Sequence, residues 1–298
     1  MDNFRGIILM VLAMAGFAIE DAFIKAAAPS VPTGQILLTV GIIGGGAFAI
    51  FVRSRGIRLL SPTLLTPPVL LRNAAEIVGT IGFVTAITKI PLATASAIAQ
   101  SMPLVITAGA ALFFAEPVGW RRWSAIVAGL VGVLIIIRPG TASFDPDALW
   151  AVLAVFGLAA RDLSARAVPR EVGHMQLAVY GALMLIPTGL ILMPFTGAPV
   201  MPAPAAWGLL LGAAAVGVFA YYAVTSASRT GAVAVVTPFR YSRILFALFL
   251  GLVLFGEVPD TWTLVGASVI VASGLYTVVR ERRLARQARP SPVTPPPA

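Results

Sequence analysis

"VLAMAGFAIEDAFIKA" occupies residues 11–26 and "VLAVFGLAARDLSARA" occupies residues 152–167. Val, Leu, Ala, Gly, Ala, Asp and Ala coincide at an offset of 141, and Lys25 falls opposite Arg166. The same offset lays "FFAEP" at 113–117 on "LFGEV" at 254–258, superposing Glu116 on Glu257. One residue later in register, Trp120 meets Trp262 and Gly132 meets Gly274. Membrane helices resemble one another by composition, but a constant offset through separate motifs marks a duplication. The halves are residues 1–141 and 142–282.

Composition fixes the surroundings of these halves. The chain of 298 residues is 58% hydrophobic and only 11% charged, with a mean hydropathy of +0.93. A soluble domain carries about 25% charged residues, so this chain cannot cover itself with a polar surface. Long apolar segments run over about 6–27, 34–52, 67–88, 92–115, 121–138, 147–166, 173–193, 205–226, 231–255 and 261–280. Each approaches the roughly 20 residues that cross about 30 Å of hydrocarbon as a helix. Helices satisfy their own backbone hydrogen bonds in lipid. The expectation is an all-α polytopic membrane protein of ten transmembrane helices. The first segment follows Arg5 and has an Ala13-Met14-Ala15 that imitates a signal-peptide cleavage site. Its recurrence in the second half marks it as a retained span. The closing "ERRLARQARPSPVTPPPA" is basic, then proline-rich, and predicts a disordered cytoplasmic tail at 283–298.

Cysteine is absent, which excludes disulfides, thiolate metal sites and a cysteine nucleophile. The net charge of +9 suggests nucleic acid until the charges are placed on the spans. Ten spans put both termini on one side, together with Arg5, Arg53, Arg55, Arg58, Arg121, Arg122, Arg166, Arg170, Arg229, Arg280, Arg282, Arg283, Arg286 and Arg289. The other side receives Lys25, Lys89 and Arg138. That asymmetry obeys the positive-inside rule and places both termini in the cytoplasm. Anionic membrane lipid suits the tail, and no soluble module exists to carry nucleic acid.

Five spans per half is an odd number, so the second half enters the membrane from the opposite side. That is an inverted repeat, the architecture of transporters that alternate access around a midplane site. Ten spans in two repeats, an early Gly-x-Ala-x-x-Asp in each half (Gly16-x-Ala18-x-x-Asp21 and Gly157-x-Ala159-x-x-Asp162), and a Glu closing the fourth and ninth spans resemble the drug/metabolite transporter superfamily, specifically its EamA-type exporters. Within it, the chain is most similar to the bacterial aromatic amino acid exporters. The resemblance implies a ten-helix inverted-repeat fold and efflux of small metabolites from the cytoplasm. No cofactor or metal is implied.

Charges at membrane depth are functional candidates by default. Arg240 lies about 13 Å into the ninth span, near the midplane, with Arg243 on the same face. Glu76 in the third span reaches a similar depth from the same side. Glu20 and Asp21 sit about 21–22 Å up the first span, nearer the outer mouth. In the functional reading an arginine offers its planar fork to a substrate carboxylate and an acid receives an ammonium. In the plainer reading Arg240 and Glu76 form a permanent pair between helices. Tyr241, Tyr221, Tyr222, Phe17, Phe83 and Phe239 offer aromatic faces, and Gln100, Ser101 and Asn73 offer hydrogen bonds; each aromatic equally suits ordinary packing. Pro103 and Pro238 break the fourth and ninth spans and predict bending there. "GIIGGG" at 41–46 permits close helix packing. Glu116 and Glu257 suit backbone amides at helix ends, Asp21 suits a scaffold role shared with Asp162, and His174 suits a surface position.

A secondary exporter of small metabolites, above all aromatic or hydrophobic amino acids, accounts for these features together. Efflux of drugs, cations or other metabolites, and a lipid or ion pathway, are the alternatives. An intramembrane enzyme lacks its motifs, since no His-Glu-x-x-His or Gly-x-Ser-x-Gly occurs, and no Walker-type loop exists for ATP.

Overall fold

A computed structural model describes residues 2–59, 62–116, 118–169, 171–230 and 233–287. The described chain is helical, without a strand, and has ten helices long and apolar enough to cross a membrane. In order, the ten spans are Asn3–Ala27, Thr33–Ser54, Pro67–Lys89, Leu92–Phe113, Trp120–Ile137, Ala148–Arg166, His174–Thr196, Pro204–Ala227, Thr237–Phe255 and Thr261–Arg280. Ten crossings put both ends of the chain on one face, here the terminal face. The final helix continues to Gln287, so residues 283–287, expected in the tail, are helical. Residues 288–298 of that expected tail, together with Arg170 and Gly231, lie outside the described residues.

Large apolar side chains such as Leu112, Phe113, Phe195 and Phe249 point outward, as suits a lipid surround. Lipid tails are as apolar as leucine, so helices associate here through close packing of small residues. The first span packs on the eighth, the third on the sixth, the second on the seventh and the fifth on the tenth. Exchanging the halves turns this list into itself. Glycines make the approaches: a Cβ at Gly16 would lie 3.0 Å from that of Ala220, and one at Gly157 would lie 2.5 Å from the Gly79 amide nitrogen. Gly79 and Ala220 are themselves one repeat offset apart. Each contact runs antiparallel, since Gly79 meets Leu158 while Gly82 meets Ala154. Likewise Gly34 meets Met193 while Gly45 meets Ala182, and Gly129 meets Ser273 while Gly132 meets Gly266.

Helical breaks recur at matching places. The fourth span is Leu92–Ala99 followed by Met102–Phe113. The ninth is preceded by a helical turn, Val233–Val236, passes through a 3-10 stretch, Thr237–Tyr241, and resumes as Ser242–Phe255. Pro103 and Pro238 stand at these breaks as expected, because neither supplies a backbone N–H. The second span carries a π-helical turn at Gly41–Gly45, and the seventh is divided at Met184, the repeat counterpart of Ile43.

The fourth and ninth spans also end alike. Gly256 and its counterpart Ala115 both adopt the left-handed region, at φ 64° and 52°. The following Glu257 and Glu116 amides then donate back to Gly251 at 3.0 Å and Ala110 at 3.4 Å. Each of these i-to-i−6 bonds closes the chain around the left-handed residue that ends the helix.

Candidate functional site

A cavity of about 220 Å³ lies between the first, third, fourth, sixth, eighth and ninth spans, with Leu37 of the second and Leu185 of the seventh also lining it. Its walls include Phe17, Glu20, Asp21, Glu76, Phe83, Gln100, Pro103, Tyr221, Arg240 and Arg243. Most of the candidate residues from the sequence are therefore gathered around one space.

The Arg240–Glu76 pair of the plainer reading does not form. Glu76 accepts instead from Arg72, one turn earlier on its own helix, at 3.1 Å and from Arg161 of the sixth span at 3.0 Å. Arg161 reaches Asp162 as well, at 2.8 Å. Glu76 is 3% exposed and Arg72 6%, so this is a buried network whose charges neutralise one another. Arg72 and Arg161 were missed as candidates. The available signal was their place inside apolar spans, Arg161 standing at the repeat position of Glu20.

Arg243 is also engaged. It donates to Asp21 at 2.6 Å, and its guanidinium lies over the rings of Phe83 at 4.9 Å and Phe17 at 5.4 Å. Phe17 in turn meets Tyr221 edge-on at 5.3 Å. One expectation changes here. Asp21 and Glu20 border the central cavity rather than an outer mouth, partly because the 3-10 stretch rises about 2.0 Å per residue and carries Arg243 towards them. Phe17 and Phe83 stack on Arg243.

Arg240 is left open. Its guanidinium has no ion pair or hydrogen bond among the described residues, and Asp162, the acid that attracts it most, is already bonded to Arg161. Only its main chain is tied, the carbonyl accepting from the Gln100 amide at 3.1 Å. Gln100 thus serves the backbone that the two helix breaks expose. Glu20 is the second open group: its carboxylate faces the cavity against Gly217 and makes no hydrogen bond or ion pair among the described residues.

Six other candidates stand away from the cavity wall. Tyr241 is buried with its hydroxyl against Gly274, whose missing side chain makes the room. Tyr222 faces outward and meets Phe51 edge-on at 6.0 Å. Asn73 accepts from Arg72 at 2.8 Å. Ser101 is buried and donates to the Ile98 carbonyl at 2.7 Å. Pro238 is half-buried in the 3-10 stretch. Phe239 is exposed and His174 is a surface residue, the latter as expected.

Ion pairs also brace the face opposite the termini. Lys89 meets Asp147 at 2.9 Å, and Arg138 meets Asp260 in the loop before the tenth span. Burial raises the Asp260 carboxyl, but hydrogen bonds from Thr263 and Arg138 outweigh it and hold the group below the usual carboxylate range.

This geometry can be set beside known proteins. The family described as "EamA-like transporter family" matches the chain twice, over residues 4–138 and 146–279. The pseudopaline exporter CntI of Pseudomonas aeruginosa is 30% identical over 277 residues, covering 90% of this chain and 94% of that one. A riboflavin transporter of Vibrio cholerae is 26% identical and covers 96% of both chains. An S-adenosylmethionine uptake transporter of Rickettsia felis is 24% identical over 72% of both. One crystal structure of another protein superposes with a TM-score of 0.59 at 18% identity, over 95% of this chain and 98% of that one, a likeness of fold alone. A polytopic fold, a charged central cavity and a match covering both halves agree: the protein is a membrane transporter and belongs to the EamA-like transporter family.

Proposed function

We propose that this transporter exports small metabolites, foremost aromatic or hydrophobic amino acids, across the bacterial inner membrane by alternating access. The observation that carries the reading is the open guanidinium of Arg240 in the central cavity, where Arg161, Arg243, Glu76 and Asp21 are paired. A cation at that depth needs water, an anion or a ligand, and a carboxylate fits its planar fork. A volume of about 220 Å³ falls below the about 300–1,000 Å³ of drug-sized sites and suits a small solute. Phe17, Phe83 and Tyr221 supply apolar wall. A cationic solute is the second reading, favoured by the open carboxylate of Glu20.

Alternating access is supported by the antiparallel packing of repeat-related spans and by their shared breaks. Both support the reading of a two-fold axis in the membrane plane. Proteoliposome uptake of labelled amino acids, nucleosides and cationic drugs, with and without a pH gradient, tests the substrate class. Amino acids should be carried; transport confined to nucleosides or cationic drugs would refute the amino acid reading.

The excess of arginine on the terminal face supports a cytoplasmic location for both ends. Ser54 and Ala198 are exposed near opposite faces, and the chain has no cysteine to interfere. Ala198→Cys should react with an impermeant maleimide on intact cells, while Ser54→Cys should react only after lysis. The reverse pattern would invert the topology.

A further inference from the structure

The two halves carry the same acid–base pair, but the copies are held differently. Near the face opposite the termini, Lys25 at the end of the first span lies 2.7 Å from Glu257, just past the ninth. Lys25 also donates to the Ile90 carbonyl at 2.7 Å, and the second oxygen of Glu257 accepts the Leu92 amide at 2.7 Å. Leu92 opens a helix, where the dipole favours an anion. The side chains of this pair are 13% and 15% exposed.

The repeat-related pair is Arg166, at the end of the sixth span, with Glu116, just past the fourth. They lie 2.6 Å apart near the terminal face, but are 44% and 47% exposed. Glu116 accepts from no other side chain or amide among the described residues. Its local backbone matches that of Glu257, with a left-handed residue before it and the same i-to-i−6 amide bond. The difference therefore lies in how the helices close around each pair.

We propose that Lys25–Glu257 and Arg166–Glu116 are reciprocal latches of the transport cycle. The first locks the opposite face in the state seen here, and the second takes the buried role when the terminal face closes. This rests on the alternating-access reading above. In the second state Glu116 meets the amide of Val233, the repeat counterpart of Leu92, and Lys25–Glu257 becomes the exposed pair. The physical basis is an asymmetry of cost. An exposed pair contributes little, whereas a buried pair resists the loss of either partner. Each latch consequently holds only the state that buries it, and the two copies oppose one another.

Distances between spin labels in purified protein in nanodiscs test this without any substrate. Cysteines at Ser30 and Val258 report the opposite face, and cysteines at Phe113 and Glu171 report the terminal face; all four positions are exposed. Glu257→Gln should raise the population with a widened Ser30–Val258 distance at least roughly tenfold, with the terminal-face distance shortening in step. Glu116→Gln should deplete that population, and Lys25→Arg, which keeps a cation, should behave as the parent. If Glu257→Gln folds poorly, Lys25→Gln breaks the same latch and should shift the distances in the same direction. Unchanged distances in the latch-breaking variants, or both Glu variants shifting the same way, would overturn the proposal. Opposed shifts in a protein that carries no tested solute would support the latches while leaving the substrate reading to fail alone.

Discussion

Glu76→Ala should cost the protein its folded state in the membrane, lowering stability by about 3–5 kcal/mol. Glu76 stands between two guanidiniums, Arg72 at 3.1 Å and Arg161 at 3.0 Å, in a site that is 3% exposed. Removing the carboxylate leaves Arg72 buried without an acid and Arg161 with Asp162 alone. The loss is one of desolvation: the charges stay in a low-dielectric interior after their compensation is gone. Thermal unfolding in detergent and monodispersity on gel filtration measure it. Adding Arg72→Leu to Glu76→Ala should recover part of the loss by removing one stranded cation. A Glu76→Ala protein as stable as the parent would show that water or another acid already serves these arginines.

Arg240→Ala should behave in the opposite way, folding normally and losing transport. Its guanidinium contacts no acid among the described residues, so little structure depends on it. If it grips a carboxylate through two charge-assisted hydrogen bonds, the loss is about 3 kcal/mol, roughly a hundredfold in flux at low solute concentration. Arg240→Lys should recover little, since a point charge does not reproduce the fork. The contrast between these two residues, one held between two arginines and one without a side-chain partner among the described residues, follows from their neighbours alone. It reverses the pairing that their similar depths in the sequence suggest.

How far the sequence reaches can be seen residue by residue. Span number and limits are legible because each span must cross the same thickness of lipid; the observed limits lie within about three residues of the apolar runs, except that the ninth span begins at Thr237 rather than near residue 231. The close approaches at Gly16 and Gly157, 141 residues apart, are legible because each must let a neighbouring backbone come near. The breaks are legible at Pro103 and Pro238, where the missing donor is written into the residue. Partner choice is not legible. Arg240 and Glu76 share a depth, but rotation about the helix axis and the 3-10 stretch before Ser242 decide which wall each faces. Tyr241 and Tyr222 fail as cavity residues for the same reason: one lies against Gly274 and the other faces outward past Phe51. Depth is a one-dimensional quantity, whereas a site requires azimuth as well. The exchanged pairs Lys25–Glu257 and Arg166–Glu116 were half-legible, since the offset aligns all four residues but does not say that each pair crosses between halves.

The central claim is that Arg240 reads a carboxylate within the cavity. Its most direct test is the flux ratio, in proteoliposomes, between an aromatic amino acid and its carboxyl amide, for the parent and for Arg240→Ala at equal incorporation. The parent should carry the acid at least about thirtyfold faster than the amide, given about 2 kcal/mol or more for the lost charge-assisted contacts. Arg240→Ala should bring the ratio close to one by losing the acid. A parent that carries the amide as well as the acid, or an Arg240→Ala protein that keeps the parent's ratio, would contradict the assignment.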